Sequence, residues 1–109
     1  MILVTTNDVP GRRIERACGL VRGNSIRARS VFSDVKAGLR VVVGGEIPEY
    51  TKMLAETREQ ALDRLIAEAE ALGANAIVGL RFVTAQTMLG AAELLAYGTA
   101  VRLADRGDD

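Results

Sequence analysis

The chain reads as an α+β domain: an antiparallel sheet with one long and one short helix packed on one face. Three observations predict this. Two stretches near the C-terminal end alternate in side-chain character with the period of a strand. The segment from Pro48 to Leu72 repeats its apolar residues at about 100° per residue, the helical period. A further extended stretch, Arg13 to Ala28, precedes the helices, so strands bracket them.

Ile2 to Thr6 is short and β-branched, a strand that stops at the turn-rich Asn7-Asp8-Val9-Pro10-Gly11. Within Arg13 to Ala28, strict alternation sets Ile14, Cys18 and Leu20 on one face and Ala17, Gly19, Val21 and Gly23 on the other. Gly23-Asn24 suggests a bend or hairpin turn there. Ser33-Asp34 offers a helix cap, and Val35, Leu39, Val42 and Val43 follow at helical spacing until Gly44-Gly45.

Pro48 suits the first turn of the long helix, where its missing N–H costs nothing, and Gly73 suits the left-handed position after its end. Tyr50, Leu54, Ala61, Leu65, Ala69 and Leu72 form its stripe, flanked by Met53, Leu62 and Ile66. That arc is wider than one sheet face requires. Asn75 to Thr84 is a strand with Ala76, Val78, Leu80 and Phe82 on one face and Ile77, Gly79, Arg81 and Val83 on the other. Ala92 to Leu103 is the last strand. Leu95, Tyr97, Thr99, Val101 and Leu103 face one way, and Leu94, Ala96, Gly98 and Ala100 the other. Neither face is polar, so both are expected to be covered, and the face rich in small residues is the expected place for another subunit. The tail from Asp105 to Asp109 is polar and expected to fray.

At 109 residues the chain is the size of one domain, residues 1–109. Its four aromatic residues leave a core of Val, Ile, Leu and Ala. Fourteen basic and fourteen acidic residues cancel, which argues against general nucleic-acid binding and favours self-association. A lone cysteine, Cys18, forms no internal disulfide. Neither a leader pattern nor an apolar run of the ~18 residues that cross a bilayer is visible, so the expectation is a cytoplasmic protein without a membrane partner.

The candidate ligand site is Arg40 with Gly44, Gly45 and Glu46, ahead of the long helix. Two glycines let backbone N–H groups approach an anion at a helix N-terminus, and Arg40 adds a cation. Equally, Gly44 ends one helix, Gly45 turns the corner, and Glu46 and Glu49 answer the helix dipole themselves. Arg22, Arg27 and Arg29 form a basic group with no aromatic between them to stack a base. Lys52–Glu56 and Arg64–Glu68 are i,i+4 surface pairs. With no histidine, Thr5, Thr6 and Thr99 have no base to activate them, and no carboxylate pair shows opposed environments; no catalytic residue is expected.

Several runs resemble the YbjQ-like family: Thr5-Thr6, Gly19-Leu20-Val21-Arg22-Gly23-Asn24, Ala37-Gly38-Leu39-Arg40, Gly44-Gly45-Glu46 with Tyr50-Thr51, Leu72-Gly73-Ala74-Asn75-Ala76, and Ala96-Tyr97-Gly98-Thr99-Ala100-Val101. They span almost the whole chain in the family's order. The resemblance implies a bacterial-type, dodecin-like β-α-β-β subunit with extra short strands, assembled as a pentameric ring. It also implies a heavy-metal-binding description with no established activity. The residues argue against a soft-metal site, because such ions take thiolate and imidazole and this chain has one cysteine and no histidine. Cys18 reads as a small core hydrophobe, and Asp34, Glu46 and Glu49 would suit a harder cation. The functions expected are therefore a ring that binds a small ligand or ion at its subunit interfaces, or a structural interaction module with no ligand of its own. An enzyme ranks last.

Overall fold

The structure, a computed structural model, describes residues 1–27, 48–86 and 92–105. Four strands and one helix stand in these segments: β1 (Ile2–Leu3), β2 (Ile14–Arg27), α1 (Pro48–Ala71), β3 (Ala76–Gln86) and β4 (Ala92–Leu103). The expected short helix from Ser33, its Gly44-Gly45 stop, and the tail after Asp105 lie outside the described residues.

The sheet order is β1-β3-β4-β2. β4 is central and antiparallel to both long neighbours. The sheet is mixed rather than wholly antiparallel, because β1 runs parallel to β3, with Ile2 opposite Ala76 and Leu3 opposite Ile77. The Ile2 N–H donates to Asn75 O at 3.1 Å and the Val4 N–H to Ile77 O at 3.0 Å. A parallel neighbour was not visible in the sequence, since periodicity carries no direction.

The expected turn at Gly23-Asn24 does not occur; β2 continues through it to Arg27. Gly23 is there for another reason. A Cβ on it would stand 2.2 Å from Ala61 O and 2.4 Å from Leu65 N, so the α1 backbone lies directly on this strand. The small side chain of Ala61 completes that close approach.

Strict alternation also fails at three register shifts, the first between Ile14 and Arg16 of β2. In β2 the register slips between Ala17 and Gly19, leaving Cys18 as the extra residue, with Gly19 at φ 135°. Ile14 therefore packs on the side away from the helix, while Cys18 packs against the helix-side core. Leu20 keeps the face of Ile14, as expected, but lies beyond the flap and is exposed. In β3 the slip falls between Val78 and Arg81, at Gly79 with φ 63°. Leu80 thus joins the core of Ile77 instead of that of Ala76 and Val78. A bulge shifts which face each later residue occupies, because the side-chain period is two.

α1 lies across β2 and β4. Thr57, Ala61, Leu65 and Ala69, four apart in turn, are its buried ridge. They meet Val21, Leu94, Ala96 and Ala100. Burying Leu65 alone contributes on the order of 2 kcal/mol. The face of Leu94, Ala96, Gly98 and Ala100 is thus the helix seat, not the subunit contact its small residues suggested. At Gly98 the lack of a side chain is required by β3, since a Cβ there would stand 2.8 Å from Ile77 Cγ2 and 3.0 Å from Val78 O.

The helix ends in a left-handed cap. The Gly73 N–H donates to Glu70 O at 3.0 Å and the Ala74 N–H to Ala69 O at 3.1 Å, with Gly73 at φ 79°. The last turn of α1 carries no base. Arg102 of the sheet donates instead to Gly73 O at 3.5 Å, and its cross-strand partner Arg16 lies close to Gly73. Two like charges directly opposite repel, and the negative end of the helix offsets that repulsion.

On the other side of the sheet, Ile2, Val4, Val9 and Ile14 pack over Ala76, Val78, Val101 and Leu103. The Arg12 guanidinium donates to Ala104 O at 2.8 Å, and the Ala104 N–H donates to Arg13 O at 2.8 Å, which pins this N-terminal flap. Asn75 closes the same end: its amide donates to Leu103 O at 3.3 Å and accepts from the Leu103 N–H at 2.7 Å.

Candidate functional site

The N-terminal flap covers only half of its face. Beyond it, four cross-strand rows stand open. Leu20 is opposite Thr99, Arg22 opposite Tyr97, Asn24 opposite Leu95, and Ile26 opposite Glu93. From the other side of β4, Arg81 is opposite Tyr97, Val83 opposite Leu95 and Ala85 opposite Glu93. Leu20, Ile26, Val83 and Tyr97 are between 38% and 66% exposed. A single exposed leucine is ordinary, but large apolar side chains gathered on one sheet face mark a contact surface.

The charge of this surface is positive. Arg22 and Arg81 stand opposite Tyr97 on the two neighbouring strands. Arg81 is held by two neutral acceptors, Thr5 O and Leu80 O, each at 2.8 Å. Among the described residues neither guanidinium meets a carboxylate. The face's own acid, Glu93, accepts from the Asn24 amide at 3.3 Å. An aromatic between arginines was invisible along the chain, because Arg22, Arg81 and Tyr97 come from three different strands. The side chain of Arg27 and the whole of Arg29 lie outside the description.

The outer edge of β2 is a different case. A free strand edge presents unpaired N–H and C=O groups and invites another strand. Here the Arg22 N–H donates to the Glu68 carboxylate at 3.3 Å, and the Arg64 guanidinium donates to Asn24 O. The pair expected to be a simple surface ion pair therefore reaches across to the backbone of the edge strand. Its i,i+4 spacing was legible; its target was not. The Ser25 hydroxyl, with its hydrogen bond to Gln60 Oε1 at 2.8 Å, ties the same edge to α1 beneath.

Arg40, Gly44, Gly45 and Glu46, the ligand site expected from sequence, lie outside the described residues, as do Asp34 and the side chain of Glu49. Cys18 is half-buried at its bulge and packs against the core that holds Val21 and Leu65. Among the described residues no three His, Cys, Asp or Glu side chains gather as a metal would require. With no histidine and one such cysteine in the chain, the residues present do not fit a heavy-metal centre. No helix among the described residues is long and apolar enough to cross a membrane.

Comparison with known proteins bears on the same residues. Residues 1–104 match the model of the YbjQ family, whose description reads "putative heavy-metal-binding". A UPF0145 protein of Archaeoglobus fulgidus is 57% identical over 103 residues, covering 94% of this chain and 95% of its own. A UPF0145 protein of Thermus thermophilus is 53% identical over 103 residues, covering 94% and 90%. One from Photobacterium profundum is 52% identical, covering 94% and 100%. The archaeal relative shows that the family is not confined to bacteria. A crystal structure of a Pediococcus pentosaceus protein of unknown function, from the DUF74 family, superposes with a TM-score of 0.65 at 17% identity. It covers 95% of this chain and 98% of its own, and shares the fold. The chain belongs to the YbjQ-like, UPF0145 family.

Proposed function

We propose that this member of the YbjQ-like family is a homo-oligomeric ring of five copies that holds a small ligand or ion where its subunits meet. The observation that carries this reading is the open half of the sheet face, where Leu20, Ile26, Val83 and Tyr97 stand in water in a single copy. Shape supports it. The radius of gyration is 17.9 Å, against roughly 13 Å for a compact domain of this length. The longest extent is 58 Å, in keeping with a 14-residue β2 that alone spans about 46 Å. A chain so drawn out has surface to spare for neighbours. A formal net charge of zero leaves little general repulsion between copies.

The proposed ligand residues are Arg40, Gly44, Gly45 and Glu46, on the argument from helix N-termini given above. Among the described residues of the open face the acid, Glu93, accepts from the Asn24 amide, and the Thr99 hydroxyl has no histidine to activate it. Binding without turnover is therefore the proposed role. Native mass spectrometry of untagged protein, purified without chelator, tests this. The expected result is a mass of five chains carrying a reproducible adduct. A bare pentamer would leave a structural ring without a ligand, and a monomer would end the ring reading.

A further inference from the structure

The sheet face and the helix face of a single subunit are opposite in charge. The sheet side carries Arg22 and Arg81 opposite Tyr97, and among its described residues the one acid, Glu93, already accepts from Asn24. On α1, Glu56, Glu59, Asp63 and Glu70 point away from the buried ridge of Ala61 and Leu65 and are exposed. Lys52 shares their stripe, and the exposed bases Arg58 and Arg64 lie off it, more than about 100° around the helix from its centre. Three arrangements of two copies follow from these surfaces. Edge-to-edge pairing through β2 meets Arg64 and Glu68, which already occupy backbone groups of that edge. Sheet face against sheet face would bring Arg22 and Arg81 of both copies together, and like charges juxtaposed in an interface cost several kcal/mol. Sheet face against helix face places the arginines over the carboxylates.

We infer that copies of this chain join head to tail, the open sheet face around Tyr97 of one receiving the outer face of α1, around Glu59 and Asp63, of the next. This rests on the ring reading and names its two surfaces. Because the surfaces differ, the contact is heterologous; repeated with a fixed rotation it closes into a ring, whereas a self-complementary contact stops at two. The apolar residues Leu20, Val83 and Tyr97 supply the burial, and the charges set which surface is accepted.

The test is a charge swap followed by analytical ultracentrifugation, with circular dichroism confirming the fold. The paired changes Arg22→Glu with Arg81→Glu, and separately Glu59→Arg with Asp63→Arg, each set like charge against like. Each pair is expected to raise the concentration for half-assembly roughly tenfold or more. All four changes in one chain restore complementarity with the signs exchanged, and assembly is expected to return to within about threefold of the parent. Either pair assembling like the parent, or folded four-fold variants that stay dissociated, would overturn the assignment while leaving a ring by another contact standing. A parent chain that is itself monomeric would remove both readings. Should Arg81→Glu disturb the fold through its contacts to Thr5 and Leu80, the unmodified protein supplies a second readout. Its assembly is expected to weaken as salt rises well past ~0.15 M; an assembly that salt leaves unchanged or strengthens contradicts an ion-paired contact.

Discussion

The two faces of β4 differ in what covers them and in how well their residues announce it. On the helix side Ala96 and Ala100 are fully buried, Leu94 nearly so, and each touches the same subunit. On the other side Val101 and Leu103 are as deeply buried beneath the flap of Val4, Val9 and Ile14, but Tyr97 and Thr99 are exposed. Small residues mark the place where a helix of the same chain lies close. Large apolar residues left in water mark the half of the face that no described element of the chain covers.

The sharpest way to break this comparison is to put the same charge on each face. Ala100→Glu buries a carboxylate with no partner under α1, a change that costs several kcal/mol and is expected to unfold the subunit. Leu20→Glu places the same group on the open face and is expected to shift the melting of an isolated subunit by no more than about 0.5 kcal/mol. Thermal melts of the two variants, followed by circular dichroism at low protein concentration, decide it; similar losses would mean that the two faces do not differ as described.

Gly23→Ala is next in size. Its new Cβ collides with backbone atoms of Ala61 and Leu65, which cannot turn aside as a side chain would. A loss of about 2–3 kcal/mol is expected in urea unfolding. A neutral outcome would show that α1 sits farther from β2 than this contact allows.

Asn75→Ala removes a donor and an acceptor from the backbone of Leu103 at the closed end of the sheet. About 1–2 kcal/mol is expected, read in the same urea titration. Gly79, at φ 63° with open space around its Cβ position, isolates backbone strain from crowding. Gly79→Ala is expected to cost roughly 1 kcal/mol, and a stabilised variant would count against the bulge that turns Leu80 toward the helix.

The smallest effect concerns the edge of β2. Arg64→Ala with Glu68→Ala removes two side-chain bonds to its backbone at exposed positions. A stability change of about 0.5–1 kcal/mol is expected, together with faster aggregation seen by light scattering, since an uncovered edge accepts other strands. Unchanged aggregation would show that this edge is protected by something else.

Much of the fold was legible along the chain. The long helix was expected from Pro48 to Leu72 and found over Pro48–Ala71, and β4 was found over Ala92–Leu103 as read. Both have a regular period for their whole length, and regular period is what a sequence displays. The faces of β3 were misread after Gly79, because one added residue reverses every inward and outward position that follows. In β2 two added residues cancel, and only Ala17 and Cys18, between them, were misplaced. Gly23 was read as a turn because glycine serves both turns and close contacts. Of the open face, Tyr97 was assigned its strand and its side, but its arginine neighbours were separated from it in the sequence by 75 and 16 positions.

By itself, the sequence determined the class of the fold, the extent of α1 and β4, the glycine cap at Gly73, and the poverty of thiol and imidazole ligands. These depend on local geometry and on composition. Only the tertiary structure decided that β1 runs parallel to β3, that Gly23 is a seat for the α1 backbone, that Arg64 and Glu68 guard an edge, and that Arg22 and Arg81 each stand opposite Tyr97. Each of those depends on segments far apart in the chain being brought within a few ångströms, and no pattern along a single strand or helix contains that distance.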